Sequence, residues 1–259
     1  MPLLEIQKLT HRFAGLCAVS DFNFAIEPHE LVGIIGPNGA GKTTVFNLIT
    51  GVYRASEGSI KLGGQELVGL TPHAITKRGI ARTFQNIRLF KELSVLDNVR
   101  IAHYGQIAYT PAEALLHIGR FRAEEKRITN QALDLLSIFK LDETAGEKAK
   151  NLPYGLQRRL EIARALATEP RLLLLDEPAA GMNPNEIIQL MKFIAWIRKT
   201  FSVTIILIEH QMRLVMGICE RLVVLDFGAT IAQGLCSEIQ NNPKVLEAYL
   251  GEEVVRDAL

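Results

Sequence analysis

Cysteine is scarce in this 259-residue chain, with only Cys17, Cys219 and Cys236. They are odd in number, far apart and without metal-ligand spacing, which argues against a disulfide framework and a cysteine-based zinc site. Isolated buried thiols in a reducing compartment, such as the cytoplasm, are the better reading. An excess of one charge is also missing: 29 basic against 28 acidic side chains leave a net charge of +1. No strong field favours nucleic acid or an anionic membrane, so nucleic acid is not an expected partner. Long apolar runs are lacking too. Runs such as Leu172 to Leu175 and Val203 to Ile208 are strand-sized, so no segment reads as a membrane-spanning helix. Met1 to Glu5 has neither the basic start nor the apolar core of a signal peptide. No repeats or low-complexity segments stand out.

What is present is a well-filled apolar fraction, 48% of residues, which fits a soluble globular protein. Leu3 to Ile26 alternates apolar and polar residues and reads as antiparallel strands around a turn near Gly15. Leu31 to Ile35 is a buried strand, and Ser59 to Gly64 a small hairpin. Thr71-Pro72 opens a short helix, and Ile80 to Gln85 reads as a strand. From Leu93 the strand signal nearly vanishes. Ser94 caps a helix at Val95, and Arg120 to Lys140 forms another with its apolar residues on shared faces. From Gly155 helices and strands alternate again: a helix over Leu156 to Thr168, a strand at Arg171 to Asp176, a helix over Asn185 to Lys199 and a strand at Val203 to Glu209. The expected fold class is α/β: a mainly parallel core at 1–92 and 155–259, with an N-terminal antiparallel β part and an inserted helical subdomain at 93–154.

The most informative stretch is Gly36-Pro37-Asn38-Gly39-Ala40-Gly41-Lys42-Thr43. It follows a buried strand and opens a helix at Thr44 and Val45, the context that the G-x-x-x-x-G-K-[ST] P-loop needs. Its glycines let backbone N–H groups turn toward a phosphate chain, and the helix N-terminus adds its positive end. Lys42 would reach the β- and γ-phosphates, and the Thr43 hydroxyl would hold Mg²⁺. At another strand end stand Asp176 and Glu177, after four leucines that suit a strand buried on both faces. Ligands bind at such ends. Asp176 would bind Mg²⁺ and Glu177 would orient and deprotonate an attacking water; two carboxylates in a solvated turn are the alternative. A third strand end carries His210, which beside a phosphate can help orient the water. Taken singly it is more often a packed or surface histidine.

Taken in order, these pieces resemble the nucleotide-binding subunit of an ABC transporter over nearly the whole chain. In that family a P-loop, a glutamine, a signature peptide, an acidic strand end and a switch histidine follow one another. Here they are Gly36 to Thr43, Gln85 in Arg82-Thr83-Phe84-Gln85-Asn86, the stretch Leu152-Pro153-Tyr154-Gly155-Leu156-Gln157, Asp176-Glu177, and His210. The resemblance implies a RecA-like P-loop core with ATP and Mg²⁺ as cofactors. It makes Gln85 a contact of the metal or water that senses the γ-phosphate, and Phe13 the aromatic that stacks on adenine. A packed core role for Phe13 is the alternative. The signature departs from Leu-Ser-Gly-Gly-Gln: Pro153, Tyr154 and Leu156 replace the serine, the first glycine and the glutamine. Gly155 at a helix start keeps backbone N–H groups available for phosphate. Asn183 stands where many relatives carry aspartate.

The strings Leu152 to Gly155 followed by Gln157 to Leu166, Asp176 to Pro184, Ile208 to His210 with Met212, and Asn241-Asn242-Pro243 before Ala248-Tyr249-Leu250-Gly251 are similar to the LivG-type ATPases of bacterial branched-chain amino-acid importers. This resemblance implies transmembrane permease subunits as partners. It also implies a second ATPase subunit, with a different chain favoured, and indirectly a periplasmic or extracellular solute-binding protein. The place of work would be the cytoplasmic face of the inner membrane. In the family the signature of one subunit closes the site of the other. Ile87, Arg88, Leu89 and Phe90 are candidates to grip the permease, with core packing of Leu89 and Phe90 as the alternative. The ATPase of a lipid or lipopolysaccharide exporter is the closest rival. A soluble ABC ATPase is weaker, because the chain lacks both a long coiled coil and a second ATPase unit.

Overall fold

The alternation over residues 3–26 folds as two long antiparallel strands in the computed structural model of the chain, which describes residues 1–107, 109–116 and 119–256. These are β1 (Leu4–Phe13) and β2 (Leu16–Ile26). Chain order continues with β3 (Leu31–Ile35), α1 (Lys42–Ile49), β4 (Glu57–Leu62), β5 (Gln65–Glu66), α2 (Pro72–Lys77) and β6 (Ile80–Arg82). Four helices follow: α3 (Val95–His103), α4 (Pro111–Leu116), α5 (Arg120–Ile138) and α6 (Tyr154–Leu166). Then come β7 (Leu172–Asp176), α7 (Pro184–Phe201), β8 (Thr204–Ile208), α8 (Met212–Ile218), β9 (Arg221–Asp226), β10 (Ala229–Leu235), α9 (Cys236–Gln240) and α10 (Pro243–Arg256). The chain forms two compact units, Met1–Arg82 with Arg171–Leu259, and Thr83–Pro170.

The first unit holds two sheets, ordered β2-β1-β4-β5 and β10-β9-β3-β8-β7-β6. In the second sheet β9, β3, β8, β7 and β6 run parallel, and β10 pairs antiparallel at the edge. Every residue of β3, β7 and β8 is buried, as strands covered on both faces require. Helix α1 sets Val45, Phe46 and Ile49 into one core with Leu4, Phe22, Ile34 and Ile206, drawn from both sheets. Burying each such side chain is worth about 1.5–3 kcal/mol. That outweighs capping here, since the N-cap Gly41 offers no side-chain bond. A second cluster, including Ile35, Val215, Val224 and Val245, packs α8 and α10 beside β3 and β9. The sheet order thus brings the C-terminal ends of β3, β7 and β8 side by side.

The second unit is helical. Ile128, Ala132, Leu135 and Leu136 of α5 are buried, as are Val95 and Val99 of α3 and Leu160, Ile162 and Ala163 of α6. Ser94 caps α3 as expected, its hydroxyl accepting the Asp97 N–H at 2.9 Å.

Three boundaries differ from the sequence reading. The strand expected to end at Gln85 stops at Arg82, where its pairing with β7 ends. Beyond it, the buried side chains of Arg158 and Glu161 take up backbone groups of Phe84, Gln85 and Arg88, so no further ladder forms. For the same reason the helical unit spans Thr83–Pro170 and is wider than 93–154. Helix α6 begins at Tyr154, two residues before the expected Leu156, with Pro153 as its extended N-cap. Gly155 therefore lies within the first helical turn.

Candidate nucleotide site

The P-loop is built by close backbone approach. Gly36 lies so near the Leu225 carbonyl that a Cβ would come within 2.0 Å of its oxygen. At Gly41, with φ +99°, a Cβ would lie 2.5 Å from the Ala18 carbonyl oxygen. Only glycine fits either position. The Ala40 N–H donates to Pro37 O at 3.2 Å and the Gly228 N–H to Ala40 O at 3.1 Å, fixing the loop's curl. Helix α1 makes its first internal bond from Val45 N–H to Gly41 O at 3.0 Å. The N–H groups of Thr43 and Thr44 lie ahead of it, with no carbonyl inside the helix to accept them. Lys42 is buried, and its ammonium donates to Gly36 O at 2.7 Å and Pro37 O at 2.8 Å. In front of the loop is a cleft of about 490 Å³, within the range of small-molecule sites. Its lining includes Asn38, Gly39 and Ala40 of the loop, Thr43 and Thr44 of the helix, and Glu177.

The acidic strand end meets this cleft. Glu177 takes a left-handed backbone, φ +44°, and its N–H donates to Ile208 O at 2.9 Å. Backbone in this region costs about 1–3 kcal/mol and persists where the surroundings impose it. His210 Nδ1 lies 3.8 Å from Glu177 Oε2. Asp176 ends β7, and its Oδ2 accepts from Arg82 Nη2 at 2.7 Å, both side chains being almost fully buried. Arg82 Nη1 also donates to Asn47 Oδ1 of α1 at 2.7 Å. Glu209, fully buried, joins the turns that follow β7 and β8. Its Oε1 accepts the Ala179 N–H at 2.7 Å, and its Oε2 accepts the N–H groups of His210 at 3.2 Å and Gln211 at 3.4 Å. Burial pushes the Glu209 carboxyl above the usual carboxylate range, and these amides pull it part of the way back.

The donor set suits Mg²⁺. No group of three or more His, Cys, Asp or Glu among the described residues could hold a metal by itself. Mg²⁺ is commonly held by one or two carboxylates together with substrate phosphates. Thr43 lines the cleft, and Arg82 engages Asp176 through Oδ2.

A family model described as ABC transporter matches residues 19–180. The chain belongs to the ABC transporter family. A second model, the branched-chain amino acid ATP-binding cassette transporter, matches residues 229–255. The chain is 47% identical to the high-affinity branched-chain amino acid transport ATP-binding protein BraF of Pseudomonas aeruginosa, over 97% of this chain and 98% of that protein. It is likewise 47% identical to LivG of Escherichia coli K12, a protein of the same description, with the same coverage. Among solved structures, an ATP-binding cassette of an ABC transporter in its ADP conformation superposes with a TM-score of 0.84. It is 29% identical and covers 97% of this chain and 99% of that one.

As an ABC cassette, the chain divides its expected site residues between its units. The first unit brings Gly36, Pro37, Lys42, Thr43, Thr44, Asp176, Glu177 and His210 to the neighbouring ends of three parallel strands. Phe13 lies at the end of β1, 40% exposed, edge-on to Tyr53 and His11, and is not part of the cleft lining. Gln85 and Gly155 belong to the helical unit and are exposed. A Cβ on Gly155 would meet nothing within 4 Å. Phe90 is 49% exposed, so it is not a core residue, whereas Leu89 is half-buried. Asn183 caps α7, accepting the N–H groups of Asn185 and Glu186. Two residues escaped the sequence reading, Arg82 and Glu209. Their available signal was position: each is a charged residue closing an apolar parallel strand.

Proposed function

We propose that this chain is the ATP-binding and hydrolysing subunit that powers a membrane importer of branched-chain amino acids. The observation that carries the reading is the meeting of the P-loop and Glu177 at one cleft, with His210 Nδ1 3.8 Å from Glu177, in a chain 47% identical to BraF and LivG over 97% of its length. The P-loop amides from Gly39 to Thr44 bind the phosphates, and Asn38 closes the loop over them. Lys42 exchanges its hold on Gly36 O and Pro37 O for the β- and γ-phosphate oxygens. Mg²⁺, when bound, neutralises charge on the phosphates, with Thr43, Asp176 and Gln85 as its holders. Glu177 orients the attacking water and takes its proton, and His210 supplies a hydrogen bond beside it. Phe13 offers its half-exposed ring to the adenine. Gly155 and the first turn of α6 close the site of a second ATPase subunit. ATP joins the two subunits and hydrolysis parts them, a two-state switch that the permease converts into transport.

The chain works at the cytoplasmic face of the membrane through that permease. No helix among the described residues is long and apolar enough to cross a membrane. The segment Ile87 to Phe90 is the surface offered to the permease. The test is to purify the chain from membranes with whatever integral chains accompany it, reconstitute the assembly, and measure ATPase activity. Leucine, isoleucine and valine, delivered with the solute-binding protein, are expected to stimulate hydrolysis. Stimulation by lipopolysaccharide instead, or co-purification only with soluble proteins or nucleic acid, contradicts the reading.

A further inference from the structure

Within the helical unit, one buried ion pair does more than fill space. Arg158 and Glu161 lie one turn apart on α6, with Nη1 to Oε2 at 2.8 Å and both side chains almost completely buried. The Arg158 guanidinium also donates from Nη1 to Phe84 O at 2.8 Å and from Nη2 to Gln85 O at 2.9 Å. Glu161 Oε1 accepts the N–H of Phe84 at 3.4 Å and of Arg88 at 3.1 Å. Two side chains thus satisfy four backbone groups of a stretch that has no regular secondary structure. Asn98 continues the hold, accepting the Phe90 N–H at 2.9 Å and donating to Phe90 O at 3.0 Å.

We propose that Arg158 and Glu161 are positioning residues that join the Gln85–Arg88 segment to the first turns of the Gly155 helix, so that the two move as one body. Irregular backbone whose polar groups turn toward a helix needs partners for them there, and an apolar α6 face would supply none. Burying an ion pair brings little net stability, because desolvation offsets the attraction. What this pair adds is directional: a planar fork that reaches two consecutive carbonyls, which a lysine cannot match. Gly155 lies three residues before Arg158 on the same helix. A displacement of the segment that holds Gln85 and leads to Phe90 is therefore passed to the N-terminal turn of α6. This deepens the proposed function and rests on it: the segment that meets the permease and the turn that meets the second ATPase share one rigid link.

The test compares the full-length wild type with Arg158→Lys and Glu161→Gln, each checked for a cooperative thermal melt. Hydrogen exchange is read first, on the isolated chain. In the wild type, the amides of Phe84 and Arg88 are expected to open together with the early α6 amides of Leu156 and Gln157. In Glu161→Gln, which loses the charged acceptor of the Phe84 and Arg88 N–H groups, those two amides exchange at least about tenfold faster while later α6 amides keep their protection, and Arg158→Lys, which loosens the Phe84 and Gln85 carbonyls, speeds them in the same direction. Independent opening of the two segments in the wild type, or unchanged exchange in both variants, overturns the proposal. In the reconstituted assembly, the variants are expected to retain ATP affinity but to move several-fold less solute per ATP. Faster exchange with an unchanged solute-to-ATP ratio overturns the coupling role. If the wild-type assembly moves no solute, the proposed function fails, and the exchange data still decide whether the link exists.

Discussion

Arg82 holds Asp176 by a 2.7 Å contact between Nη2 and Oδ2, with both side chains almost wholly buried. Its other arm reaches Asn47 on the helix that follows the P-loop. One guanidinium therefore ties the end of β6 and α1 to the carboxylate that closes β7. Removing one partner of a buried pair leaves the other charge uncompensated, at a cost of about 3–5 kcal/mol. Arg82→Ala is expected to lose stability of that order in denaturant unfolding. Arg82→Lys should recover only part of it, because one ammonium cannot serve Asn47 and Asp176 in the same fork geometry. A loss below about 1 kcal/mol in Arg82→Ala would place the pair among ordinary surface contacts.

Gly155 faces open space within the chain. A methyl group there should not disturb folding, and replacing glycine by alanine inside a helix is worth about 0.5–1 kcal/mol of added stability. Gly155→Ala is therefore expected to melt at or above the wild-type temperature while its ATP-dependent association and turnover fall. Undiminished turnover at saturating ATP would remove the cross-subunit role given to this position.

At Gly41 the constraint lies inside the chain. Its positive φ and the 2.5 Å approach to Ala18 O leave no room for a Cβ. Gly41→Ala should destabilise the loop by about 1–3 kcal/mol and weaken nucleotide binding by at least tenfold, read by calorimetric titration. Lys42→Ala leaves the backbone cradle in place, so a well-folded chain with turnover reduced by about 10²–10³-fold is expected.

Glu209 gives a pH signature. Its folded carboxyl titrates above the unfolded value because burial outweighs the three amides it accepts. The folded state therefore binds a proton more readily than the unfolded state. Its contribution to stability is fully present below the unfolded carboxylate pKa and is lost as pH rises through the raised folded pKa. The melting temperature of the wild type, relative to Glu209→Gln, should fall as pH rises across that interval. A difference that stays constant, or grows with pH, contradicts the assignment. Glu209→Gln should also slow turnover, because its amide NH₂ would oppose the N–H groups of His210 and Gln211.

Much of this fold is legible in the sequence. The apolar runs of β3, β7 and β8 read as strands of a mainly parallel sheet, and Thr71 and Ser94 announce the helices they cap. The P-loop is legible because close backbone approach demands glycine at Gly36 and Gly41, and glycine is visible in a sequence. Less visible were interactions between distant residues. Nothing local to Arg158 and Glu161 says that they capture the backbone of Phe84 to Arg88, so the sequence alone predicts a longer β6 and a narrower helical unit than the structure has. Arg82 and Glu209 were passed over for the same reason: their partners lie on other strands and turns. The role proposed for Gly155 rests on resemblance, since no local packing calls for a glycine there.

The central claim is that hydrolysis at Glu177 drives import of branched-chain amino acids. The most direct measurement is uptake of labelled leucine into ATP-loaded proteoliposomes holding the full transporter, with wild-type chain or Glu177→Gln. The wild type should accumulate leucine in step with phosphate release. Glu177→Gln should bind ATP and associate normally, yet lose both uptake and hydrolysis by about 10²–10⁴-fold, as removal of a general base predicts. Near-normal hydrolysis in Glu177→Gln, or wild-type hydrolysis without leucine uptake, would contradict the claim.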